Sequence, residues 1–97
     1  MPSSVAAQDT RNAELAASDV QLNKVYGALI RQLGKEDQAA LRASQRSWLN
    51  FRDLDCKFGW GDKRDCLMAR TDERVEQLRN SLYWTPNGKQ IDLSNVK

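Results

Sequence analysis

The sequence predicts an all-α protein, a three-helix antiparallel bundle. Two observations carry that expectation. Apolar residues recur at steps of three, four and seven through three separate segments, and no stretch alternates with the period of a strand. Only two prolines and five glycines interrupt the 97 residues, so long helices are permitted. The length allows one domain, taken as 1–97, with a helical core at about 10–84 and a C-terminal tail at 85–97.

The first helix is expected from about Thr10 to Leu33. Leu15, Leu22, Tyr26, Leu29 and Leu33 share one face, flanked by Val25 and Ile30. Gly34 reads as the residue just past its end, where glycine commonly stops a helix. Ser18 and Gln21 have capping-box spacing, but one continuous helix with a loose beginning is the simpler reading. The second helix is expected from about Glu36 to Lys57. Glu36 and Asp37 suit a helix N-terminus. Leu41, Gln45, Trp48, Arg52 and Cys56 fall at steps of four, three, four and four, so they share a face. The third is expected from about Asp65 to Tyr83, with Asp62 or Asp65 as its cap. Leu67, Thr71, Val75, Leu78 and Leu82 form its stripe, and Met68 lies beside it. The first two helices are expected to pair as a hairpin. Thr85, Pro86, Asn87 and Gly88 then signal a turn, and the tail to Lys97 alternates only weakly, through Ile91 and Leu93, as an extended or frayed end.

Charge and composition exclude several function classes. Fifteen basic and thirteen acidic residues leave a net charge of +2, interleaved along the chain. No block of like charge marks a nucleic-acid arm or a polybasic membrane patch. No apolar run approaches the ~20 residues of a spanning helix. The opening residues MPSSVAAQ have neither the basic start nor the apolar stretch of a leader. A leader upstream of Ser3, replaced by Met1, is the expectation that reconciles this start with the cysteines.

Two cysteines, Cys56 and Cys66, bracket a segment containing Gly59, Gly61 and Asp62. They are either two buried thiols or one disulfide in an oxidising compartment. The spacing is not CxxC and the chain holds no histidine. A redox-active or zinc site is therefore not expected, nor is any cofactor. Without histidine, Ser-His and Cys-His nucleophiles are excluded. Asp53 and Asp55, two apart on a helix, do not face each other as an acid–base pair. The chain is not expected to be an enzyme.

The informative residues are polar groups on apolar faces, because burying them unpaired is costly. Asp19, Asn23 and Tyr26 lie together on the first helix. Gln45 and Arg52 share a face with Trp48 on the second, beside Phe51 and Asp53. Thr71 and Arg74 lie a turn apart on the third. Two readings stand: an inter-helix polar network that fixes register, or a polar-aromatic binding surface around Trp48, Phe51 and Arg52, residue types that anchor interfaces.

The same residues carry a resemblance. The run Asp19-x-x-Leu22-Asn23-x-x-Tyr26, then Leu41-x-x-x-Gln45-Arg46-x-Trp48-Leu49-x-Phe51-Arg52-Asp53-x-x-Cys56, then Cys66 and Thr71-x-x-Arg74-x-x-x-Leu78, resembles the LprI-type lysozyme-inhibitor domain family over roughly residues 10 to 82. The block from Gln45 to Cys56 is its most specific part. The resemblance implies a bacterial helical protein that is secreted, periplasmic or anchored as a lipoprotein. It also implies that Cys56 and Cys66 pair, so that a disulfide joins the second and third helices. Many family members carry a further cysteine pair near the first helix; this chain has none before Cys56, which leaves that helix to be held by packing alone. The implied function is an envelope binding protein that inhibits lysozyme or a related glycan hydrolase by occluding its cleft. The competing expectation is a structural or assembly adaptor for another envelope protein. Both make the partner a protein.

Overall fold

The computed structural model describes residues 10–97; the MPSSVAAQ opening lies outside the described residues. Among the described residues, three antiparallel helices follow one another: α1 Arg11–Ile30, α2 Lys35–Asp55 and α3 Lys63–Asn80. The disulfide implied by the resemblance is formed between Cys56 and Cys66, whose Cα atoms lie 5.5 Å apart, and it bridges α2 to α3.

Helix α1 runs unbroken through Ser18 and Gln21, and buries Ser18, Leu22, Val25 and Leu29 at steps of four, three and four. Gly34 does not end it in the way expected. The helix stops at Ile30, and the Gln32 N–H donates to the Leu29 carbonyl at 3.0 Å. Gly34 instead has extended backbone (φ −70°, ψ 168°) as the residue that precedes α2. A methyl group there would lie 3.3 Å from Pro86 Cγ. What its small size serves is the approach of the C-terminal segment.

Helix α2 begins with Glu36 and Asp37 in its first turn, at the positive end of the helix dipole. Within it, Leu41 alone is buried. Helix α3 is capped by Asp62, whose Oδ1 accepts from the Arg64 N–H at 2.9 Å. Asp65, the other candidate cap, pairs instead with Arg11 at 3.1 Å. Cys66, Thr71, Val75 and Leu78 are buried along α3. Leu82 leaves the expected stripe and is 70% exposed, because the helix has ended and Ser81 is extended.

Two packing results depart from expectation. The most extensive helix pairing is α1 with α3; α2 meets α1 at few places, so the expected hairpin is an open one. The tail is also no frayed end. The Thr85 N–H donates to the Lys89 carbonyl (2.8 Å) and the Ile91 N–H to the Tyr83 carbonyl (2.9 Å), with Trp84 and Gln90 paired antiparallel. Gly88, at φ +80°, makes the turn possible. The chain therefore doubles back. Ile91 and Leu93, 5% and 3% exposed, join the core of Leu22, Val25, Leu29, Leu33, Leu41, Val75 and Leu78.

Candidate functional site

The open pairing of α1 and α2 leaves a cleft of about 460 Å³. Asp19, Leu22, Asn23 and Tyr26 line it from α1; Arg42, Gln45, Arg46, Leu49 and Arg52 line it from α2. Each set recurs at helical spacing, which turns it toward the same side. Leu22, Tyr26 and Leu49 make the apolar part. Arg42 and Arg46, one turn apart, have no hydrogen-bond or ion-pair partner among the described residues.

Arg52 closes the inner end of the cleft. Its side chain is only 16% exposed, so it faces inward. Nη1 donates to Thr71 Oγ1 on α3 at 3.1 Å and reaches Asp19 Oδ1 on α1 at 3.5 Å. The fully buried Thr71 hydroxyl in turn donates to the Leu67 carbonyl at 2.7 Å. Buried Arg52 Nε makes no hydrogen bond, its nearest carboxylate being Asp53 Oδ1 at 3.7 Å.

Trp48 serves two cations. The Arg52 and Arg74 guanidinium carbons lie 5.3 and 5.9 Å from its ring centroid, within cation–π reach. Arg74 also donates to Gln45 Oε1 at 3.0 Å and to Ser44 Oγ at 3.1 Å. Burial pushes the Arg74 guanidinium below its usual pKa, since desolvation disfavours the charged form. The structure thus brings Asp19, Gln45, Trp48, Arg52, Thr71 and Arg74 into one network, with Asp53 at its edge and Asn23 and Tyr26 on the cleft wall. Phe51 is not among them. It is exposed, one residue and about 100° of helix away from Arg52.

Sequence reasoning left out a second cluster, around the stapled connection. The Trp60 ring lies 5.9 Å from the Arg70 guanidinium carbon, and Arg70 is held by Asp55 Oδ2 at 2.6 Å and both Glu73 carboxylate oxygens at 2.8 and 2.9 Å. These two carboxylates raise the Arg70 pKa further. The signal available was Trp60 between two glycines inside the cysteine bracket. Nearby, the hydrogen bonds from Arg64 hold the Asp62 carboxyl at about 2.

The carboxylates are therefore committed to arginines: Asp55 to Arg70, Asp62 to Arg64, Asp65 to Arg11. None of these three is left as a free acid beside a matching base. The Asp55 carboxylate and both cysteine sulfurs lie within 4.8 Å of one another. A disulfide offers no thiolate, the form in which cysteine binds metals, so this group is not a cation site.

Comparison with known proteins adds identity to this geometry. A family model described as "Lysozyme inhibitor LprI" matches residues 2–78. A relative described as the uncharacterized protein YecT of Escherichia coli (strain K12) is 29% identical over 97 residues, covering 71% of this chain. The chain spans 60% of that relative's length. No solved structure matches.

Proposed function

Since the chain belongs to the LprI family of lysozyme inhibitors, we propose that it is an envelope protein, periplasmic or secreted, that inhibits a lysozyme-type glycan hydrolase by occluding its cleft. The family match over residues 2–78 carries this reading. The family is described as one of lysozyme inhibitors, and on this reading the chain acts by binding and not by catalysis. Hydrolases of the lysozyme class work with two carboxylates on either side of a bound polysaccharide. A rigid protein lodged among those subsites excludes the polymer without any chemistry of its own. The Cys56–Cys66 disulfide suits an oxidising compartment. No helix among the described residues is long and apolar enough to cross a membrane. With a net charge of +2 the protein gains no long-range steering toward a basic enzyme, so affinity must come from contact.

The test is the rate at which several lysozyme types turn over cell-wall substrate with the protein in excess. The expected result is a KM that rises with inhibitor while kcat holds, the signature of cleft competition. Unchanged rates across all the types would sink the reading.

One observation favours the adaptor as a second reading. The α1–α2 cleft offers an apolar floor and two arginines without partners among the described residues, a suitable seat for an acidic segment of another envelope protein. A partner captured from periplasmic extract by the native protein and lost with Arg46→Glu, with lysozyme turnover untouched throughout, would favour it.

A further inference from the structure

We propose that the stapled connection between α2 and α3 is the part that enters the hydrolase cleft, with Phe58 and Trp60 in its sugar subsites and Lys57 and Lys63 facing its carboxylates. The proposal rests on the inhibitor reading and names the surface that would perform it.

Shape is the first argument. The α1–α2 cleft is concave, and a concave surface does not fill another cleft. The connection between Cys56 and α3 projects from one end of the bundle, with its roots pinned 5.5 Å apart by the disulfide. An added methyl group at either Gly59 or Gly61 would meet nothing within 4 Å, so the backbone there stands clear of the body. Gly59, at φ +90°, bends it in a way other residues rarely adopt.

Chemistry is the second. Phe58 is 73% exposed and Trp60 43%. Phe51 and Leu54, also exposed, lead toward them along the last turns of α2. Four large apolar side chains left on one end of so small a protein mark a contact surface. A subsite shaped for the apolar face of a sugar ring also accepts a flat aromatic ring. Trp60 is held ready for that role, because Arg70 supports its ring and is itself fixed by Asp55 and Glu73. Little rotamer freedom is then lost on binding.

Charge is the third. Asp62 and Asp65 are occupied by Arg64 and Arg11, and Asp55 by Arg70. Lys57 and Lys63 have no partner among the described residues. The charge left free on the connection itself, between Cys56 and α3, is positive, complementary to the carboxylate pair of a glycan-hydrolase cleft.

The experiment measures inhibition constants against a lysozyme that the native protein inhibits. Phe58→Ala with Trp60→Ala is expected to raise the inhibition constant at least ~10-fold. Lys57→Glu with Lys63→Glu is expected to weaken inhibition most at low salt, where charge pairing is least screened. Leu82→Ala, at the opposite end, is expected to change nothing. Helix content by circular dichroism and the mass of the oxidised protein check that every variant keeps its fold. A Phe58→Ala/Trp60→Ala protein that inhibits as well as the native one overturns this proposal alone. A native protein that inhibits no lysozyme overturns the inhibitor reading, and this proposal with it.

Discussion

The Arg52 guanidinium, carried by α2, touches Asp19 on α1 and Thr71 on α3, so a single side chain ties all three helices. Thr71→Val removes the acceptor while keeping the volume, leaving Nη1 with only the 3.5 Å contact to Asp19. The expected cost is about 1–2 kcal/mol, read as a lower urea midpoint at unchanged slope. Combined with Arg52→Met, the double mutant should fall short of additivity by at least ~0.5 kcal/mol. Additive losses would mean that the two side chains do not interact. Asp62 offers a pH test. Its folded value of about 2 lies below the ordinary 3.8, so its contribution to stability is complete above about pH 4 and is lost as the pH falls through about 2. A carboxyl-carbon NMR titration should place its midpoint near 2; a midpoint near 3.8 would show that the Arg64 contacts do not hold in solution. The sequence marks Gln45, Trp48 and Arg52 as special, because polar groups on an apolar face need partners. It also groups Phe51 with them, and nearness in sequence misleads there. One step along a helix turns a side chain by about 100°, and Phe51 faces out.

Helix α2 depends on the staple more than the other two do. Leu41 is its one buried side chain, and its C-terminal half is held by the Arg52–Trp48–Arg74 contacts and the disulfide. Closing an 11-residue loop stabilises by about 2.7 kcal/mol in the chain-entropy model. Reduction should therefore lower Tm by roughly 10–20 °C for a domain of this size. Amide exchange should also quicken more in residues 48–56 than in α1. Equal protection in oxidised and reduced protein would show that packing alone holds α2. The helices themselves are legible in the chain, because period and caps act over a few residues. Their ends are less so: Gly34 and Leu82 each lie where a local pattern suggests one conformation and the returning chain imposes another.

The molecule divides into two ends held by different forces. The apolar cluster gathers where α1 and α3 meet the returning tail. The stapled end is held by the disulfide and by the ion pairs of Arg11, Arg64 and Arg70, exposed pairs of the kind worth up to about 1 kcal/mol each. Folding thus leaves the large side chains of the stapled end free for contact. The tail belongs to the first end. Ile91→Ala is expected to cost about 2–4 kcal/mol, as for other buried large-to-small changes, and removal of residues 90–97 should cost more. Thermal melts of both proteins check this, and an unchanged Tm would place the tail outside the core. The chain alone establishes three helices, their approximate spans and the residues able to pair or stack, because backbone period, capping and cysteine spacing are local properties. Which faces meet is decided only in the fold. The α1–α3 pairing, the opened α1–α2 cleft, the inward turn of Arg52 and the return of Ile91 and Leu93 all depend on long-range packing. A helical period identifies the face that must be buried, but not the partner that buries it.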